Sequence, residues 1–399
     1  MALEFRDLKR QYEAIKEAVD KNVAEVIASS HFISGPQVKE LEKELAEYTG
    51  RKHCISCANG TDAISIALMA AGVGEAGGGS KKDAVFVPDF TFFSSGECPA
   101  TIGATPIFVD VDPSSYNIDP DSLEKAVEKV LSEGELTPKA VVAVDLFGQP
   151  FDYDRIKAVC DKHGMFIMED AAQGFGGEYT TASGEKLKAG KLGLVSTTSF
   201  FPAKPLGCYG DGGAIFTDDD HLADLCRSIA VHGKDTENLD DPNAKYNNIR
   251  LGMNSRLDTI QAGILLAKFS KFKDFELDAV NHVANLYGKG LKDIKSVEIP
   301  VIESNCYSSW AQYTIRLPKN ADRSAIQKKL KAEGIPTNIY YIKPMHLQGA
   351  FKGTRSAVAD CPNTEMLCKI VLCLPVHPYL KDEEVEWICS SVKKAIEEQ

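Results

Sequence analysis

The feature of this sequence that most narrows its fold is an alternation. Short apolar runs, HCISCA at 53–58, AVFVPDF at 84–90, TPIFVDVD at 105–112, AVVAVDLFG at 140–148, FIMEDA at 166–171 and LVSTTSFF at 194–201, are separated by segments of helical periodicity. The helical pattern covers about 8–28 and 37–49, then runs from Thr61 to about Ala71, around 94–103, after DPDSL, and through DYDRIKAVCDKHG. Strands this short and this continuously apolar are buried on both faces, so the pattern predicts an α/β fold with a mostly parallel sheet between two layers of helices. Such sheets bind ligands beyond the carboxyl ends of their strands. The residues that follow HCISCA, FIMED and TTSFF are therefore expected to converge.

At 399 residues the chain exceeds what one hydrophobic core usually holds. A large domain over 1–264 is expected, including the N-terminal helices, followed by a smaller C-terminal α/β domain over 265–399. RLDTIQAGILLAKFSKF reads as a helix leading out of the first domain. YTIRLP, a helix after NADRSAIQ, IPTNIYYI and a final helix from Asp382 make up the second. The Gly/Ser/Lys-rich stretch GVGEAGGGSKKDAV, 72–85, reads as a flexible surface insertion.

Charge and cysteine usage exclude several classes. A net charge of −12 without a long Lys/Arg run would repel a phosphate backbone, so no nucleic-acid partner is expected. The charged N-terminus MALEFRDLKRQYEAIKEAV lacks the apolar centre of a signal peptide, and no segment has the apolar length of a membrane span. The expectation is a cytoplasmic protein with no membrane partner. Eleven scattered cysteines fit reduced thiols. CISC at 54–57 lies in a strand pattern and not at a helix start, so it reads as buried thiols, and no metal site is expected.

Three strand ends carry groups with chemical capacity. NGTDA opens a helix with Gly60 and Thr61, whose free N–H groups and hydroxyl can cradle an anion, although the same residues suit an ordinary N-cap. MEDAAQ places Asp170 directly after a strand and Gln173 three positions later. TTSFFPAK supplies Ser199 and then Lys204, which Pro205 biases toward an extended backbone. VPDFTFFSS offers Phe92 or Phe93 as an aromatic face. Together these meet the needs of pyridoxal 5'-phosphate: a lysine for the Schiff base, an acid at the pyridine nitrogen, a phosphate cradle and a ring to cover the cofactor. A neutral amine is required of Lys204, and Phe200, Phe201 and Tyr209 are expected to desolvate it.

The chain resembles, nearly end to end, the DegT/DnrJ/EryC1/StrS family of nucleotide-sugar aminotransferases. The resemblance lies in FRDLKRQY, SGPQVKELEKELAEYTG, CANGTDAI, GATPIFVDVDPSSYNID, EDAAQGFG, SFFPAKPLGCYGDGGAI and GMNSRLDTIQAGIL. It implies the fold-type I aminotransferase architecture and a homodimer with active sites shared between subunits. By position it implies an internal aldimine on Lys204, Asp170 at the pyridine nitrogen, Gln173 at the ring hydroxyl and Phe92 on the ring face. Gly60, Thr61 and Ser199 would hold the phosphate, with Asn254 reaching in from the neighbouring subunit.

Relatives that dehydrate or deoxygenate carry histidine at the position of Lys204, so the resemblance implies transamination from glutamate, released as 2-oxoglutarate, to a keto-sugar nucleotide. FFPAKPLGCYGDGGAIFT and NSRLDTIQAGIL are most similar to enzymes that aminate C3 of UDP-2-acetamido-2-deoxy-3-keto-glucuronic acid for lipopolysaccharide O-antigen. Arg256 would then face the sugar carboxylate, or serve structurally near its helix. Tyr340 stands where relatives tend to have histidine and Ile342 where they have proline; with Tyr341 and His346 they mark the substrate side, while His377 reads as structural. A 4-keto-6-deoxy sugar nucleotide stays open as substrate, as does a catalytically silent regulator binding the same ligands.

Overall fold

A computed structural model describes residues 3–235, 247–294 and 297–398. Seven strands form the main sheet: β1 (His53–Cys57), β2 (Asp83–Pro88), β3 (Thr105–Val109), β4 (Thr137–Val144), β5 (Phe166–Asp170), β8 (Val195–Ser199) and β9 (Gly213–Thr217). Their order is β1-β9-β8-β5-β4-β2-β3, with β8, β5, β4, β2 and β3 parallel and β9 antiparallel to both its neighbours. Parallel neighbours need a long crossover, which helices supply between the strands up to β5 and the helix-free residues 171–194 supply between β5 and β8. Between β8 and β9 the chain instead returns through residues 200–212 without a helix, and Ser199 pairs directly with Gly213. The stretch that carries Lys204 is thus the loop of a hairpin.

Helices α1 (Leu8–Ser29) and α2 (Pro36–Thr49) precede the sheet, and α3 (Gly60–Ala70), α4 (Phe93–Thr101), α5 (Pro120–Glu133), α6 (Tyr153–His163) and α7 (Asp220–Ile229) flank it. Ile64, Leu68 and Cys226 pack with Val85, Val142 and Ile215 on one face, and Leu123, Val127, Ile156 and Val159 with Phe86, Val141 and Ile167 on the other. The double burial explains why each strand is apolar without alternation.

A small sheet, β6 (Glu178–Thr180), β7 (Lys186–Lys188) and β10 (Cys306–Tyr307), borders the main one. Helix α8 (Thr259–Lys271) lies on α1 and α2, and passes through a π-helical turn, Phe272–Glu276, into α9 (Leu277–Leu291). Leu265, Phe269 and Phe272 share a core with Phe175 and Phe216, while Val283 and Tyr287 share one with Ile388 and Val392 of α12 (Asp382–Glu397). The expected 264/265 division falls inside α8, and the change of core comes at the π-helical turn. The C-terminal unit also contains β11 (Tyr313–Arg316), α10 (Arg323–Ala332), α11 (Pro362–Ile370) and β12 (Val371–Leu374).

Two local expectations change. IPTNIYYI forms a single bridge, Asn338 to Cys373, and the strand that pairs with β11 is β12, which follows α11 without a turn signal. The 72–85 stretch is a packed turn. Asp83 accepts from the N–H groups of Gly74 and Ser80, both at 3.0 Å, Ala76 N–H reaches Ile102 O, and Val73 is buried. Gly74 needs its missing side chain: its φ is +68° and a Cβ would lie 2.6 Å from Ile102 O. No helix among the described residues is long and apolar enough to cross a membrane.

Phe269 is fully buried at the junction of α8 with the sheet. Phe269→Ala should cost about 3–5 kcal/mol of unfolding free energy, measured as a lowered denaturant midpoint.

Candidate active site

Beyond the carboxyl ends of β5 and β8 lies a cavity of about 430 Å³. Gly60, Thr61, Phe92, Asp170, Gln173, Ser199, Lys204, Tyr340 and Tyr341 all line it. The three strand ends that the alternation pattern singled out do converge.

Asp170 is the last residue of β5 and is buried. Ser95 Oγ donates to its Oδ2 at 2.8 Å and the Ala172 N–H to its Oδ1 at 3.2 Å. Burial pushes its carboxyl above the ordinary value, and Ser95, Ala172 and the nearby Lys204 pull it back. A cationic group arriving in the cavity would hold this carboxylate ionised.

Lys204 is opposed in the same way. Burial pushes its ammonium below the ordinary value, Asp170 pulls upward, and Arg6 adds a second downward push. Its loop is tightly pinned: Lys204 N–H bonds Phe201 O, Cys208 N–H bonds Phe200 O, and Phe200 N–H bonds Gly212 O. The aromatic surround differs from expectation. Phe201 is half exposed on the cavity, but Phe200 is fully buried in the core beneath, and Tyr209 packs on Tyr12. Adjacent residues at the end of a strand face opposite ways, so only one of the pair can line the site.

The start of α3 is built for an anion. Asn59 caps it through Asp62 N–H at 2.8 Å, leaving the N–H groups of Gly60 and Thr61 at the open end of the helix. A Cβ on Gly60 would lie 2.7 Å from Ser199 Cβ, and one on Gly213 would lie 2.5 Å from Asn59 O. The two glycines let the helix end press onto the β8–β9 hairpin, which brings the Ser199 hydroxyl beside the free N–H groups. Thr61 Oγ1 shares a 2.7 Å hydrogen bond with Ser94 Oγ.

Phe92, not Phe93, covers the cavity: it is 54% exposed before α4, whereas Phe93 packs on Phe351. Gln173 accepts from Phe147 N–H at 3.0 Å and donates to the Tyr341 hydroxyl at 3.1 Å, which leaves one amide hydrogen free to meet a ligand hydroxyl.

Three expected residues lie elsewhere in this chain. Asn254 and Arg256 are exposed on the segment before α8, with Arg256 Nη2 donating to Asn254 Oδ1 at 2.8 Å, and neither lines the cavity. His346 is buried against Asp89, its ring 2.6 Å from the carboxylate and its own N–H on the other oxygen at 2.8 Å, with Cys361 close by. Asp89, directly after β2, thus occupies both its ring and its backbone N–H. Conversely, Ser95, Asn59 and Gln312 reach the site unannounced. The repeated hydroxyls of TFFSS were the available signal for Ser95; Asn59 stood in view as an N-cap candidate.

These residues fit a phosphorylated pyridine aldehyde: an anion cradle that a Cβ at Gly60 would obstruct, a buried carboxylate with a hydroxyl prop, and an amine disposed to be neutral.

The model of the DegT/DnrJ/EryC1/StrS aminotransferase family matches residues 13–393. The chain belongs to that family. It is 43% identical over 392 residues to the UDP-2-acetamido-2-deoxy-3-oxo-D-glucuronate aminotransferase of Pseudomonas aeruginosa, covering 98% of this chain and 99% of that one. Among solved structures, a family aminotransferase from Brucella abortus superposes with a TM-score of 0.90 at 44% identity, covering 99% of each chain. NtdA of Bacillus subtilis, solved with bound cofactor PMP, superposes with a TM-score of 0.84 at 27% identity, covering 96% of this chain and 82% of that one. The protein is a pyridoxal-phosphate-dependent sugar aminotransferase of the fold-type I class.

Ser95 donates its hydroxyl to Asp170. Ser95→Ala should leave the fold intact and weaken cofactor affinity by roughly ten- to a hundredfold, since a hydrogen bond to a charged group is worth about 1.5–3 kcal/mol. Spectroscopic titration of cofactor-free protein measures it.

Proposed function

We propose that the enzyme moves the amino group of glutamate onto C3 of UDP-2-acetamido-2-deoxy-3-keto-glucuronic acid, in the cytoplasm, as a step toward surface polysaccharide. The observation that carries the reaction is the meeting of Lys204, Asp170 and the α3 cradle in one cavity. What supports the substrate is the similarity to the Pseudomonas aeruginosa enzyme over nearly the whole of both chains.

The cofactor, when bound, supplies an electron sink for the carbon that gains or loses the amine. Lys204 would bind it covalently and, as a free amine, would carry the proton that moves on or off the substrate carbon; a partly desolvated lysine near a carboxylate suits both tasks. A ring nitrogen cation would keep Asp170 ionised, and Asp170 would in turn hold that nitrogen protonated. Gly60, Thr61 and Ser199 take the phosphate, Gln173 orients the ring hydroxyl, and Phe92 shields the ring face from water.

The active unit is a homodimer in this reading. Asn254 and Arg256, exposed and bonded to each other, belong to the neighbour's cavity: Asn254 at the phosphate, Arg256 at the sugar carboxylate. Their surroundings support an interface, since Ile249 and Leu251 are 48% and 77% exposed close by in sequence. Tyr340 and Tyr341 line the same cavity and would meet the sugar.

The test is to load the enzyme with amine from glutamate and offer 3-keto and 4-keto sugars linked to UDP and dTDP. The 3-keto-uronate should restore the starting absorbance fastest, and Arg256→Ala should raise its KM more than tenfold. A response to 4-keto sugars alone would replace this substrate with the 4-keto-6-deoxy class.

A further inference from the structure

The chain enters its first helix through a strap, residues 3–7, that is tied down on both sides. Leu3 sits in the C-terminal core and its N–H bonds Gly334 O at 3.1 Å. Arg10, one turn into α1, grips Glu384 with two bonds of 2.7 Å and also reaches Tyr379 O. Between these anchors Arg6 turns inward, and its Nη2 donates to the carbonyl oxygen of Lys204 at 3.0 Å, across 198 positions of sequence.

We propose that Arg6 is a positioning residue for Lys204: it clamps the lysine's peptide carbonyl from the strap and keeps a fixed positive charge close to the lysine amine. The proposal rests on the reading of Lys204 as the cofactor lysine. Three observations carry it. The bond is made to the lysine residue itself, and Pro205 follows, so the next peptide has no N–H with which to anchor the loop on that side. The guanidinium is spent on this one contact, since Nη2 bonds Lys204 O while Nη1, also buried, finds no partner among the described residues and so binds no competing group. The strap is braced on the C-terminal unit at both ends, so Arg6 couples the placement of Lys204 to the seating of that unit against the main sheet.

The charges around the pair agree. Asp170, on β5, faces Lys204 and favours its ammonium; Arg6 opposes it. Arg6 is itself faced by Glu276, from the π-helical turn, and by Tyr340, and burial holds it down to about 10, so it stays a cation at neutral pH. Glu276 is already engaged by Gln11 and Tyr379, and Lys268 adds a further buried positive charge beside it. Arg6 thus faces Lys204 as an incompletely neutralised cation.

The experiment reads Lys204 directly, without turnover. Full-length protein stripped of cofactor is acetylated briefly across a pH series, and the Lys204 peptide is quantified by mass spectrometry against the exposed Lys21. In the unsubstituted protein Lys204 should react with a midpoint below that of Lys21. Arg6→Gln, which keeps a donor but loses the charge, should raise the midpoint by on the order of half a pH unit. Arg6→Lys should leave it close to the starting value, and Arg6→Ala should raise it and also lower kcat several-fold, with KM for glutamate nearly unchanged. A Lys204 midpoint and kcat that ignore all three substitutions would overturn the proposal. If Lys204→Ala protein still bound cofactor covalently, the reading of the site would fall instead, while the labelling profiles would still report what Arg6 does to the lysine.

Discussion

Much of the structure hangs on the pairing of Ser199 with Gly213, which closes the β8–β9 hairpin. It turns β9 antiparallel in an otherwise parallel neighbourhood and leaves residues 200–212 as a loop at the carboxyl edge of the sheet. The same pair forms the wall onto which the start of α3 presses, closely enough that a Cβ at either Gly60 or Gly213 would collide. One backbone register therefore sets the lysine, the hydroxyl and the helix end against each other. A slip of one residue would turn Ser199 to the other face and separate all three.

Electrostatically the cavity is a balance of buried opposites. Asp170 and Lys204 are each pushed by burial toward the neutral state, and each favours the other's charge. A ring nitrogen cation beside Asp170 resolves the conflict for the acid, and covalent use of the amine resolves it for the lysine. Residues farther out tune the balance: Ser95 holds Asp170 in place, and Arg6 holds the lysine's backbone from the strap before α1. Burial and charge at the site thus both favour a cation beside Asp170 and an uncharged amine at Lys204.

Local pattern made much of this legible. The strand ends at Asp170 and Ser199 and the helix start at Gly60 are where apolar runs stop, and strand ends of a mostly parallel sheet must meet. What sequence could not show were contacts made across long separations. Ser95 and Asp170 are 75 positions apart, and Arg6 and Lys204 198; no period or spacing announces either. His346 illustrates the converse: a motif placed it on the substrate side, yet a buried aspartate, Asp89, took it. The 72–85 stretch misled through composition, because Gly74 presses on Ile102 at the end of α4 and Gly77 on Met69 of α3.

The chemistry turns on Lys204 as the residue that would hold the cofactor. The most direct measurement is borohydride reduction of the holoenzyme, followed by digestion and peptide mass mapping. The account predicts one modified peptide, spanning Lys204, which disappears in Lys204→Ala protein along with turnover. A cofactor mass fixed to any other lysine, or a Lys204→Ala enzyme that still transfers the amine at the original rate, would contradict it.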